Sequence, residues 1–92
     1  MIRSFSNKGL RLFVETGDPR KLSIENAGRV RRILAQLDAA TKPEDMNLPG
    51  YRFHQLGGDR KGTYAVTASG NYRITFRWDA PDVIDVDLED YH

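Results

Sequence analysis

The apolar positions of this chain change period near its middle, from the 3.6-residue spacing of an amphipathic helix to the two-residue alternation of a half-buried strand. In the first half, Lys8 to Thr16 predicts a helix with Leu10, Phe13 and Val14 on one face and Gly17 as its stop. A second helix is predicted from Ser23, a candidate N-cap, to about Ala40; Ala27, Val30, Ile33, Leu34 and Leu37 form its apolar stripe, opposite Arg29, Arg32 and Gln36. Residues 2–5 suit a short edge strand, and residues 41–50, with Pro43 and Pro49, end the helical half. Thereafter residues 51–56, 64–68, 72–78 and 83–90 predict four strands, separated by a glycine-rich loop at 57–62, by Ser69-Gly70-Asn71 and by Asp79-Ala80-Pro81-Asp82. Such short connections make an antiparallel meander. Helices first and strands afterwards is the α+β pattern: two N-terminal helices packed on one face of an antiparallel β-sheet, the other face at least partly open.

Alternation sorts the strand side chains by face. In the third predicted strand Tyr72, Ile74, Phe76 and Trp78 share one side and Arg73, Thr75 and Arg77 the other; in the first, Tyr51 and Phe53 oppose Arg52 and His54. His54 and Arg73 are therefore expected on the open face. In the last strand Ile84, Val86 and Leu88 are expected to point inward and Asp85, Asp87, Glu89 and Tyr91 outward. Strict alternation then puts Asp90 and His92 on the buried side, and a bulge or a curl of the last residues is needed to bring His92 to the open face. Folding the last hairpin about its turn places Arg73 near Asp87, where a cross-strand ion pair is the simplest role for it.

Composition narrows the chemistry. At 92 residues the chain is expected to be a single domain, 1–92, with one modest core and neither repeat nor linker. It has no cysteine, which excludes disulfides, thiolate nucleophiles and cysteine-ligated zinc. No apolar run approaches the roughly 20 residues of a membrane span and the first residues carry no signal-type segment, so a soluble, intracellular protein is expected. The net charge of +1 conceals an asymmetry: residues 1–78 hold all 14 Lys and Arg against seven acids, and residues 79–92 hold six acids and no base. A basic body suits a polyanionic partner, but a total of +1 argues against strong unaided nucleic-acid binding.

The two histidines, His54 and His92, carry the clearest candidate chemistry. Imidazole exchanges protons near neutrality, with an unperturbed pKa of about 6.5, and His92 adjoins an acid and a phenol, Asp90 and Tyr91. Two histidines among scattered carboxylates give no zinc-type ligand spacing, and no Ser or Thr sits in a nucleophile motif, so no metal or other cofactor is expected. Loop 57–62 lacks the spacing of a phosphate-binding P-loop and reads first as a hairpin connection. The plain roles remain open beside these: His54 as an ordinary strand residue, and Arg29, Arg31 and Arg32 as a solvated helix face, with contact to a polyanion as the sharper alternative.

Several segments together resemble the HigB-type (host inhibition of growth) toxins of the RelE/ParE superfamily. They are Ile2-Arg3-Ser4-Phe5, Lys8-Gly9-Leu10, Leu37-Asp38-Ala39-Ala40-Thr41, Gly58-Asp59-Arg60-Lys61-Gly62, Tyr72-Arg73-Ile74-Thr75-Phe76 and Glu89-Asp90-Tyr91-His92, a likeness over essentially the whole chain. The resemblance implies the RelE-like toxin fold and a toxin of a type II toxin–antitoxin system, a ribosome-dependent endoribonuclease that cuts mRNA at the 30S A site. It also implies a HigA-like helix-turn-helix antitoxin as partner, operator DNA met only through that antitoxin, a cytoplasmic location and no membrane. By the same resemblance His54, Arg73, Asp90, Tyr91 and His92 match the active-site positions. Where the family often has a lysine, this chain has Gly57; Arg60 or Lys61 in the same loop is the candidate replacement.

RNA brings its own nucleophile, the 2′-hydroxyl. Cleavage then needs a base, an acid for the departing 5′-oxygen and a cation for the phosphorane charge. His92 and His54 are expected to share the acid and base roles, Arg73 to stabilise the phosphate, Asp90 to orient an imidazole and Tyr91 to stack or donate its hydroxyl. Arg52, Arg60, Lys61 and Arg77 are the candidate RNA contacts. Two alternatives stand beside this: a ParE-like gyrase inhibitor acting through a surface, and a catalytically weak toxin serving as antitoxin partner or corepressor.

Overall fold

The computed structural model describes residues 1–22 and 26–90. Helix α1 (Lys8–Thr16) starts where Asn7 Oδ1 accepts the Leu10 backbone N–H at 2.9 Å and ends at Gly17, whose φ of 76° is the left-handed cap that glycine adopts without strain. Leu10 and Phe13 are buried, but Val14 is 52% exposed, so the apolar stripe is narrower than expected. Val14 sits about 100° round the helix from Phe13, and only the strip centred on Leu10 and Phe13 meets the core. Helix α2 spans Ala27–Ala39 and begins later than predicted because Asn26 supplies the cap, its Oδ1 accepting the Arg29 N–H at 3.1 Å; Ser23 lies outside the described residues. Val30, Ile33, Leu34 and Leu37 are buried as the stripe requires. No helix among the described residues is long and apolar enough to cross a membrane.

The four strands pair antiparallel in the order β1 (His54–Gln55), β2 (Thr63–Ser69), β3 (Tyr72–Asp79), β4 (Asp82–Asp90). The helices cover one face, where Val66, Ile74, Phe76, Val83 and Val86 are fully buried with Leu10, Ile33, Leu37 and Met46. Phe53, just before β1, Tyr64 of β2 and Phe76 of β3 stack in sequence on that side, with centroids 5.7 Å apart at each step.

Departures from strict alternation shape the opposite face. β1 is two residues long, not six, because Arg52 takes a positive φ of 51° and breaks the extended run. In β4, Ile84 is not inward: Thr75 pairs with Asp87 but Arg77 pairs with Ile84, so Asp85 and Val86 together oppose Phe76. Asp85 takes the bulge position with φ 54°. Val83 and Val86, three residues apart, cannot both point inward in a regular strand; the extra residue lets them. The same bulge moves the residue opposite Arg73 along by one, from Leu88 to Glu89, so that Glu89 and not Asp87 is its partner. Residues 2–5 run as an edge, but parallel to β4, with bridges Ile2–Val83 and Phe5–Val86, and Ser4 Oγ accepts the N–H of Asp85 at 2.9 Å.

Candidate active site

The outward face of the sheet is built in rows of paired residues. One runs His54, Ala65, Thr75, Asp87 and the next Thr67, Arg73, Glu89. Ala65 keeps the first row low between His54 and Thr75, which lie two strand spacings, roughly 10 Å, apart.

His54 is exposed at the sheet edge, and its Nδ1 lies 2.9 Å from the carbonyl oxygen of Arg52. A carbonyl only accepts, so Nδ1 carries the hydrogen and Nε2 of the neutral ring holds the lone pair. The left-handed turn at Arg52 aims that carbonyl back at the ring. The turn is itself anchored: Tyr51 is buried, its carbonyl accepts the Thr67 N–H at 2.7 Å, and its hydroxyl donates to Gln36. Arg29 of α2 caps this anchor, its Nη2 donating to the carbonyls of Gly50 (2.9 Å) and Thr67 (3.1 Å) and its guanidinium lying 5.0 Å from the Tyr51 ring centre. Arg29 is thus a structural clasp, unlike Arg31 and Arg32, which are exposed.

Four donors converge on one carboxylate beside this histidine row. Arg60, from the short 3-10 turn Gly58–Arg60 in the loop before β2, donates through both branches of its guanidinium to Glu89, Nη1 reaching Oε1 at 2.7 Å. Arg73 Nη2 donates to Oε1 at 3.2 Å and Thr75 Oγ1 to Oε2 at 2.9 Å. The Arg60 hydrogen bond, aided by those from Thr75 and Arg73, lowers the Glu89 carboxyl pKa to about 2 against the opposing effect of burial. Neither Glu89 nor Thr75 was a predicted site residue. The signal for Glu89 was the three-residue spacing of Val83 and Val86, which demands a bulge and so makes Glu89, not Asp87, the partner of Arg73.

The structure brings Arg60 and Arg73 into contact with a common group and sets His54 and Arg77 on the same face. Arg77 lies one row beyond Thr75, opposite Ile84, and is exposed; Lys61 caps the Gly58–Arg60 turn and Arg52 flanks His54, both exposed. Asp90 is not with them. It pairs with Tyr72, on the core side of the alternation, and is exposed at the end of β4. Tyr91 and His92 lie outside the described residues. Gly57 has an ordinary φ of −100°, and a Cβ there meets nothing within 4 Å, so its lack of a side chain is not a backbone requirement. Among the described residues no group of three or more His, Cys, Asp or Glu side chains is placed to hold a metal ion.

The family model for the RelE-like toxin of the type II toxin–antitoxin system HigB matches residues 3–92. The chain belongs to that family. As a toxin of a type II system it has an antitoxin as partner. This HigB-type toxin is 37% identical over 92 residues to the Endoribonuclease HigB of Proteus vulgaris, with both chains covered in full. It is also 38% identical over 82 residues to Toxin HigB-1 of Vibrio cholerae serotype O1, covering 85% of this chain and 84% of that one. Its fold is that of YafQ from Escherichia coli strain BL21(DE3), with a TM-score of 0.67 at 12% identity over 98% of this chain and 91% of the other.

Proposed function

We propose that this HigB-type toxin is an endoribonuclease that cleaves mRNA on the translating ribosome by metal-free acid–base chemistry, as one toxin domain over residues 1–92. The observation that carries this reading is two guanidinium groups converging on one anion on the sheet face that also carries His54. Phosphate is an anion of the same donor preference as carboxylate. With Nδ1 tied to the Arg52 carbonyl, Nε2 is the atom of His54 that exchanges a proton with RNA, taking it from the 2′-hydroxyl or giving it to the departing 5′-oxygen. Arg73 and Arg60 offset the charge that grows on the phosphorane oxygens. His92 is the second acid–base group, with Asp90 orienting an imidazole and Tyr91 stacking on a base; Arg52, Lys61 and Arg77 contact the RNA backbone. The partners are a HigA-like helix-turn-helix antitoxin, which alone meets operator DNA, and the ribosome with its mRNA in the cytoplasm.

Cleavage of a defined mRNA on translating ribosomes tests this. Wild-type chain should give fragments ending in a 2′,3′-cyclic phosphate and a 5′-hydroxyl. His54→Ala should lower the rate by roughly 10² to 10⁴, the usual worth of one general acid or base. Cleavage of a message carrying a 2′-deoxy residue at the cut site would overturn the mechanism. An intact message with wild-type chain would point to gyrase inhibition or to a toxin retained as antitoxin partner.

A further inference from the structure

A strand-pairing role for Glu89 needs one partner, and Arg73, directly opposite, is that partner. Glu89 has three. Arg60 reaches it from outside the strand register with both branches of its fork, and Thr75 from the neighbouring row adds a hydroxyl. Two cations and one hydroxyl donor around a single carboxylate make a seat of surplus positive charge, and the donor set is one that a phosphodiester oxygen pair would satisfy equally. The seat is also approachable: the Arg60 side chain is 43% exposed, whereas Glu89 and Arg73 are 20% and 17% exposed.

We infer that in the free protein Glu89 occupies the seat of the substrate phosphate, that it swings out when RNA enters, and that it thereby sets the affinity of the site for a phosphodiester. The inference rests on the nuclease reading above for the identity of the phosphate. Exchange of one anion for another leaves neither guanidinium unpaired at either stage, which makes the swap far less costly than emptying the seat. A protein of net charge +1 whose best anion site is already filled binds naked RNA weakly.

The test is titration with inorganic phosphate, and with an all-deoxy oligonucleotide of the message sequence, followed by the backbone amide resonances of Thr75 and Arg73. Glu89→Gln and Asp87→Asn each remove one negative charge from the same face of β4, but only the first weakens hydrogen bonds to both arginines; Asp87 Oδ1 accepts the Leu88 N–H, and Asp87 acts on Arg60 through charge alone. Glu89→Gln should bind phosphate about tenfold tighter than wild type, while Asp87→Asn changes it by no more than about threefold, the general effect of one charge on a screened surface. Adding Arg60→Gln to Glu89→Gln should return binding to the wild-type level. In the unmodified chain, saturating phosphate should move the side-chain carboxyl carbon resonance of Glu89. Phosphate bound no tighter by Glu89→Gln, an equal gain in Asp87→Asn, or a Glu89 carboxyl signal that stays put while the Thr75 amide moves would each overturn the inference. Phosphate binding needs no turnover. Exchange at Glu89 in a chain that leaves translated mRNA intact would overturn the nuclease reading alone, and cleavage without exchange would overturn this inference alone.

Discussion

Strand β3 carries two kinds of structure on its two sides. Ile74 and Phe76 face the helices and are fully buried among aliphatic and aromatic neighbours, whereas Arg73 and Thr75, alternating with them, both donate to Glu89 on the other side. The inner side is held by volume: each methylene has a fitted place, and the cost of removing one is transfer plus cavity. The outer side is held by charge geometry, in which Glu89 is shared by partners from a loop and from β3. The same backbone therefore separates what keeps the chain folded from the side to which the chemistry is proposed to belong, in adjacent residues.

That separation breaks in measurable ways. Phe76→Ala should cost about 3–5 kcal/mol, a large share of the roughly 5–15 kcal/mol that holds a domain together, and urea denaturation should show it as a sharp fall in midpoint. Arg73→Ala should do the reverse. Its cleavage rate on ribosomes should fall by roughly 10² to 10³, the typical loss of one donor to a developing oxyanion, with the urea midpoint nearly unmoved because Arg60 and Thr75 still hold Glu89. Equal losses of stability in the two variants would erase the distinction between the faces. Acid should act on the outer face before the inner one. Glu89 ionises at about 2 in the folded chain against 4.5 unperturbed, so its contribution to stability is full above about pH 4.5 and is lost as the pH falls toward 2. Thermal midpoints of Glu89→Gln should accordingly vary less across that range than those of wild type. The smallest effect is expected for Thr75→Val, which keeps the buried shape and removes one donor: about 0.5–1.5 kcal/mol in stability, with the Glu89 carboxyl titrating at higher pH by NMR.

Periodicity made most of the architecture legible. Both helices, all four strands and the sharing of one face by His54 and Arg73 follow from where the apolar residues fall. What escaped has definite causes. β1 looked six residues long because Tyr51-Arg52-Phe53-His54 alternates well, but alternation is blind to a left-handed residue such as Arg52. Glu89 was missed because pairing was counted as if β4 were regular, although Val83, Val86 and Leu88 already announce an odd step. Arg29 looked solvated because a helical wheel shows only its own helix, and the carbonyls of Gly50 and Thr67 that it caps come from elsewhere in the fold. Convergence of Arg60 on Glu89, 29 residues apart, depends on how a glycine-rich loop lies over the sheet, which local pattern does not encode.

The parallel segment at residues 2–5 bears on colloidal behaviour. A sheet of four strands has two edges, and an uncovered nine-residue edge such as β4 is a template on which another chain can add a strand. Here Arg3 and Ser6 donate their N–H groups to the Val83 and Val86 carbonyls and take up that edge on both sides of the bulge. Beyond it stand Asp87 and Asp90, whose like charges would repel a second copy. The other edge, β1, offers two residues. Edge-to-edge stacking therefore has little to grip, and cutting back residues 2–5 should appear first as concentration-dependent aggregation.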